Sequence, residues 1–382
     1  MSRPPSTLPS PDPVAAEHSA RLQRSIADAI RGSDGWIPFD RYMELALYTP
    51  GLGYYAAGAR KFGDSAAGGD FVTAPEISPL FATALATQLA QVFVHTPASL
   101  VEFGAGSGVL ARDLLDAMAA RGTPIERYAI VELSPDLAAR QQSLLAGRNV
   151  QWLAAPPTGF EGVMLANEVL DVMPVRLFVM RSGRPCERGV GLRDGGLAFV
   201  EREADEELRG AVTAIERELG ALPDGYGSEI GFAGQAWMRS AADWLARGVL
   251  LAIDYGFPRR EYYHPQRLMG TLMCHYRHRA HADPLWLPGL NDITAHVDFT
   301  AVADAAHGAG LDVLGYTTQA HFLMNCGVLD RLGAAHSLRG ANEVQRLLSE
   351  AEMGELFKVL AVGRGVDESL VGFARGDRLS RL

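Results

Sequence analysis

Between residues 99 and 166 the chain alternates short apolar runs with amphipathic stretches. The runs at 99–104, 127–132, 150–153 and 162–166 have strand length, while 108–121 and 135–146 carry apolar residues at helical spacing. Such alternation predicts βαβ crossovers and a mostly parallel sheet. Residues 248–257 form a further apolar run, nearly continuous, as a strand covered on both faces should be. Residues 311–317 and 356–362 read as later strands, 319–351 as helices and 368–376 as a final short strand. Upstream, Leu22, Ile26 and Ile30 recur every four residues and predict a helix over 14–31. A second helix starts at Pro38 and stops at Tyr48, before Thr49-Pro50-Gly51. Ser78 and Pro79 cap a third, 79–94.

The span 175–234 interrupts this alternation. Residues 175–180, 189–192 and 197–200 read as antiparallel strands, with turns at Ser182-Gly183 and Asp194-Gly195-Gly196. A charged helix (204–220), a polar glycine-rich loop (225–234) and a helix bearing Trp237 and Trp244 (235–246) follow. The expected organisation is a disordered tail (1–13), an N-terminal helical region with a loop (14–98) and a sheet domain (99–382). The sheet domain carries 175–234 as an inserted α+β substrate region.

Candidate chemistry gathers where the sheet strands should end. Gly104, Gly106 and Gly108 follow the first strand at alternate positions, and a helix starts at Val109. Bare backbone lets a ligand approach closely, and the helix start offers free N–H groups. The pattern is acid-x-G-x-G-x-G from Glu102, and Val109 stands where a dinucleotide motif would have its third glycine. A run of this kind also fits a tight structural turn. The second strand, however, ends in Glu132, followed by Leu133-Ser134-Pro135. A carboxylate there can accept both hydroxyls of a ribose, each bond worth about 1.5–3 kcal/mol. Together these features favour an adenosyl ligand with an amino-acid end, S-adenosylmethionine.

Further polar groups occupy the same edge. The loop 68–78 carries Asp70, Thr73, Glu76 and Ser78 and reads as a lid. The strand ending at Asn167 runs into Glu168 and Asp171, whose spacing predicts one face of a helical turn. Asp254 and Tyr255 end the next strand. His275, His278 and His281 are spaced by three in a loop and read as solvated side chains, so no metal site is expected.

The bulk numbers narrow the function. A net charge of −10 excludes a general nucleic-acid binder, which needs a basic face. Three scattered cysteines, Cys186, Cys274 and Cys326, suit a reducing compartment. With no apolar signal core and no span of membrane length, a cytoplasmic protein is expected, without membrane insertion.

The segments G-D-F-V-T-A-P-E-I-S, V-E-F-G-A-G-S-G, V-E-L-S-P, A-N-E-V-L-D-V-M-P, L-A-I-D-Y-G and D-I-T-A-H-V-D-F occur here in order. Together they resemble the MidA-like family of S-adenosylmethionine-dependent methyltransferases over about residues 36–363. The resemblance implies a class I, Rossmann-like methyltransferase sheet of seven strands with the last antiparallel. It also implies a protein arginine as acceptor, as in mitochondrial members that assist complex I assembly. Ala105 stands where the family turn commonly has proline. A presequence like that of the mitochondrial members is not seen, so the chain looks like a bacterial relative.

On this reading Gly104, Ala105 and Gly106 contact the methionyl part of the donor. Glu102 orients the turn or the donor's ammonium. Glu132 and Leu133 hold the adenosyl part, and Asn167 lies near the methyl. Thr73, Pro75, Glu76 and Ser78 cover the donor. Glu168 and Asp171 are the expected clamp for a guanidinium, and His296 or Asp298 the acceptor of its proton. Two rivals stay open: an assembly chaperone that binds S-adenosylmethionine without turnover, and a nicotinamide oxidoreductase.

Overall fold

The structure is a computed structural model that describes residues 8–57, 73–335, 338–350 and 352–382. The first seven residues of the tail and residues 68–72 of the expected lid lie outside the described residues. The chain divides into two compact units, assembled from Met1–Phe71, Val172–Gly234 and Arg259–His296, and from Val72–Asp171, Gln235–Pro258 and Val297–Leu382.

The second unit holds the large sheet. Its strands, numbered here within this sheet, are β1 (Ser99–Phe103), β2 (Arg127–Val131), β3 (Val150–Leu153), β4 (Phe160–Asn167), β5 (Leu245–Phe257), β6 (Asp312–Thr318) and β7 (Phe357–Arg364). Their order is β6-β7-β5-β4-β1-β2-β3, and the short strand Val297–Asp298 pairs with the end of β5. The pairs β5–β4, β4–β1, β1–β2 and β2–β3 are parallel; β7 is antiparallel to β5 and β6. The last strand of the chain is thus the antiparallel one, as the resemblance implies. Strand order reverses between β1 and β4, and that reversal opens a crevice at the carboxyl ends. Apolar side chains pack one face of the sheet: Leu100, Val163, Leu165, Val249, Leu251, Val359 and Ala361 are buried with Leu85, Leu89, Leu110 and Leu114 of the helices Pro79–Val92 and Val109–Ala120. Phe103 packs on Trp237 and Trp244, with ring centroids 5.0 and 5.6 Å away.

The first unit pairs its helices Pro13–Gly32 and Phe39–Tyr48 with an antiparallel sheet. Leu22, Ile26 and Ile30 are fully buried, as their spacing predicts. Asp12 caps the first helix by accepting from the Ala15 N–H. Arg184–Arg193 is the central strand, flanked by Arg176–Arg181 and Trp36–Ile37 on one edge and Gly196–Glu203 on the other. Its hairpin turns have positive φ at Ser182 and Gly183 and at Asp194 and Gly195, the primed geometry that suits strand twist. Arg176 is buried against both carboxylate oxygens of Glu187, at 2.8 and 2.6 Å, and also reaches Asp205.

Four expectations are corrected. Within 225–234, Gly227–Ile230 is a strand paired with Arg176–Arg181, not a loop; its polar Ser228 and Glu229 are buried and give no apolar pattern. Residues 368–376 hold a short 3-10 turn, Val371–Phe373, and no strand. The histidine loop contains Met273–Tyr276, Arg279–His281 and Asp292–Thr294 as a three-stranded sheet. His281 is buried against Asn291 rather than solvated. Finally, Glu168–Asp171 is not a helical turn, for reasons given next.

Candidate functional site

β1 delivers the chain into a turn that only glycine adopts without strain. Gly104, Gly106 and Gly108 have φ of 61°, 53° and 81°. The Gly104 N–H donates to the Val131 carbonyl at 2.9 Å, which ties the turn to the end of β2. A Cβ on Gly104 would touch Val169 at 3.4 Å, so the turn lies close to the loop after β4. Ala105 is buried. Glu102, beneath the turn, is buried and accepts from the Tyr128 hydroxyl at 2.7 Å. Burial pushes its carboxyl up to about 7 against that hydrogen bond.

At the end of β2 the Glu132 carboxylate is held by backbone and side-chain donors. Oε1 accepts from the Ser134 N–H at 2.9 Å and Oε2 from the Gln141 amide at 2.8 Å. Burial raises its pKa, and these hydrogen bonds oppose the rise. A carboxylate offers about four lone-pair sites, so it has room for a further donor. Beside it Leu133 is 79% exposed, an apolar surface that a planar ring could cover. Ser134 caps the helix Pro135–Leu144, as its sequence predicts.

β4 ends at Asn167, whose Nδ2 donates to Glu168 Oε1 at 3.1 Å. Asn167 Oδ1 is buried and has no hydrogen-bond partner among the described residues. Glu168 then takes a φ of 55°, a left-handed conformation costing a non-glycine residue roughly 1–2 kcal/mol. Asp254, at the end of β5, explains how this is held. Its Oδ2 accepts from the N–H groups of Val169, Leu170 and Asp171 at 3.1, 2.8 and 3.2 Å. Its Oδ1 accepts from the Tyr255 N–H at 2.8 Å. The buried carboxylate thus substitutes for the helical hydrogen bonds that the sequence spacing suggests, and folds the loop around itself.

The acids here raise one another. Burial first, then the Asp254 charge, push Glu168 up to about 8, while Asn167 and the Ala74 backbone N–H pull it down. Burial also raises Asp254 against its four N–H donors. Thr73 and Glu76 form a capping box on the single-turn helix Ala74–Ile77, and Ser78 accepts from the Leu80 N–H. Pro75 is buried in that turn. Asp171 is buried on the same loop as Glu168. Asp298 caps Phe299–Gly308 by accepting from the Ala301 N–H at 3.1 Å. His296 belongs to the first unit, where its N–H donates to Thr271 Oγ1 at 2.9 Å.

Two participants escape the sequence reading. Asp254 is visible as a strand-end acid, but not as the group that shapes the Glu168 loop. Gln141 carries one signal: it is the polar member of the stripe Leu137, Gln141, Leu145 on an otherwise buried helix face.

Burial raises several carboxyls, among them Glu102, Glu168 and Asp254, and this predicts a pH dependence of stability. Glu102, Glu168 and Asp254 hold protons in the folded chain that the unfolded chain has released. Stability from these groups therefore falls as pH rises across the window from about 5 to 8. His281, whose pKa burial lowers, acts in the opposite sense. The melting temperature should be higher at pH 5.5 than at pH 8.5, and Glu168→Gln should flatten the slope. A melting temperature that rises with pH across this window would contradict the assignment.

Bare glycines, a half-satisfied acid beside an exposed apolar side chain, and an unpartnered amide oxygen across the crevice fit an adenosyl ligand. Fold and strand-end loops together define a class I methyltransferase. Residues 84–317 match the family described as "Putative S-adenosyl-L-methionine-dependent methyltransferase". The chain belongs to that family, as its motifs lead one to expect. It is 29% identical to "Protein arginine methyltransferase NDUFAF7 homolog, mitochondrial" of Drosophila melanogaster, over 94% of this chain and 89% of that protein. With the human protein of the corresponding name it shares 27% identity, over 86% of this chain and 80% of that one. A crystal structure from Burkholderia thailandensis, bound to S-adenosyl-homocysteine, is 50% identical, with a TM-score of 0.93 over 98% of this chain and 100% of that one.

Proposed function

We propose that this methyltransferase transfers the methyl group to an arginine side chain of a protein. The observation that carries the reading is the carboxyl pair Glu168–Asp254, beside an open amide, at the end of β4 and β5. Two neighbouring acids, Asp254 buried and Glu168 half-buried, that disfavour each other's ionisation are relieved by a cation between or against them. A guanidinium is such a cation, and its planar donors match carboxylates. The names of the relatives support the same acceptor class.

The donor supplies a methyl on sulfonium, so the N–CH3 bond forms as the S–CH3 bond breaks and S-adenosylhomocysteine leaves. The chain's task is to hold and orient. Glu132 accepts the ribose hydroxyls and Leu133 lies under the adenine. Gly104, Ala105 and Gly106 admit the methionyl end, with Glu102 bracing the turn through Tyr128 and Asn167 Oδ1 facing the donor. The turn from Thr73 through Pro75 and Glu76 to Ser78 covers the site. Glu168 and Asp171 hold the guanidinium. An arginine nitrogen that gains a methyl must lose a proton, and Glu168, with a pKa near neutrality, accepts it. Asp298 is engaged as a helix cap, and with Glu168 in this role neither it nor His296 is needed for the step.

The resemblance extends the proposal to a respiratory complex I subunit as acceptor. The test is incubation of the purified chain with methyl-labelled S-adenosylmethionine and a bacterial extract, followed by mass spectrometry. Label on arginine of a discrete protein is expected. Tight donor binding without label on any protein would replace catalysis by a donor-binding assembly role.

A further inference from the structure

We propose that Gln141 is the positioning residue for donor binding: it sets the Glu132 carboxylate at a fixed spacing from the glycine turn. This rests on the proposed role of Glu132 as ribose ligand. Gln141 is fully buried, which a neutral amide tolerates only when its polar atoms are satisfied. Three different segments satisfy it. Its Oε1 accepts from the Trp152 indole N–H of β3 at 3.0 Å. Its Nε2 donates to the Gly106 carbonyl at 3.0 Å and to Glu132 Oε2 at 2.8 Å.

The orientation of the amide follows from the partners. An indole N–H can only donate, so the amide oxygen must face Trp152. A carbonyl and a carboxylate can only accept, so the two amide hydrogens must face Gly106 and Glu132. A flipped amide would put like against like at all three contacts. Trp152 thus fixes the amide, and the amide fixes both the turn and the acid. The other carboxylate oxygen is fixed by the Ser134 N–H, so Glu132 cannot rotate without losing one of two bonds. The helix side chain also packs against the turn, because a Cβ on Gly108 would meet Gln141 Cγ at 3.4 Å. Gln141 acts on the donor through Glu132, which it holds at the turn, and preorganised geometry of that kind is what sustains affinity.

Removing the amide should therefore weaken the adenosyl end of binding and leave the chemical step alone. Gln141→Leu should raise the Kd for S-adenosylhomocysteine roughly tenfold, as for the loss of a hydrogen bond to a charged group. It should weaken 5′-methylthioadenosine, which keeps the ribose and lacks the amino acid, by the same factor. With turnover assayed, KM for the donor should rise while kcat stays within about twofold. In a Glu132→Gln background the same substitution should add less than about twofold, because the group it acts through is gone. Trp152→Phe keeps Gln141 and most of the ring volume, and should reproduce part of the loss if Gln141→Leu fails to fold.

Calorimetry with both ligands on the parent and the four variant chains decides the matter. Unchanged affinity in Gln141→Leu, or an equal loss in both backgrounds, overturns the proposal. If Glu132→Gln itself leaves affinity unchanged, the ribose assignment falls and this inference falls with it. If Glu132→Gln weakens binding while Gln141→Leu and Trp152→Phe do not, the inference alone fails.

Discussion

Glu132→Ala is expected to weaken binding of S-adenosylmethionine by at least about tenfold, which corresponds to about 1.4 kcal/mol. The expectation comes from how little freedom the carboxylate has. Its two oxygens are already spaced by the Ser134 N–H and the Gln141 amide, one on each. A ribose presents two adjacent hydroxyls, and both can be met without rotating the acid. Hydrogen bonds to a charged group contribute about 1.5–3 kcal/mol each, and water in the vacated space recovers part of that. Alanine also strands the Ser134 and Gln141 donors, so the loss exceeds that of the ribose contacts alone. Calorimetric titration of the purified variant measures it, with a melting curve to show that the fold persists. Binding within about twofold of the parent chain would remove the ribose ligand from the site.

Elements built on local chemistry were legible in the sequence. The strands 99–104, 127–132 and 150–153 follow from apolar runs bounded by turn residues, and the observed Ser99–Phe103, Arg127–Val131 and Val150–Leu153 agree to within a residue. The caps at Ser78 and Ser134 could be named because a serine followed by proline is a strong helix start. Of the groups that line the strand ends, Gly104, Gly106, Glu132, Asn167 and Glu168 could be named because sheet topology alone puts strand ends on one edge.

What stayed hidden depends on side chains meeting across long sequence separations. The 168–171 loop has the spacing of a helical turn, but Asp254, over eighty residues downstream, takes its N–H groups. No local pattern announces that competition. The strand Gly227–Ile230 is hidden for a related reason: Glu229 is buried with its Oε1 accepting from Tyr262 and Thr271, so its polarity looks like a loop. Gln141 is hidden less deeply, since an amide in an apolar helix stripe asks for partners; only the structure names them as Gly106, Glu132 and Trp152.

Glu168→Gln should leave donor affinity nearly unchanged and cut methyl transfer by at least roughly a hundredfold, the scale of removing a positioned acid or base. The amide keeps the size of the acid and can still meet Asn167, so the 168–171 loop should hold its shape on Asp254. It loses two things. The first is the charge the acid takes on against a bound guanidinium, and the second is a group able to take its proton. Because burial and Asp254 lift the Glu168 carboxyl to about 8, the resting site holds a proton near neutral pH. A bound guanidinium favours the ionised form and should expel that proton. Acceptor binding should therefore release protons, seen as a calorimetric heat that changes with the ionisation enthalpy of the buffer, and Glu168→Gln should abolish most of that dependence. Loss of donor affinity equal to the loss of transfer would move Glu168 into the donor site. A variant that transfers at the parental rate would leave the guanidinium without its clamp, and Asp171 would then have to hold it alone.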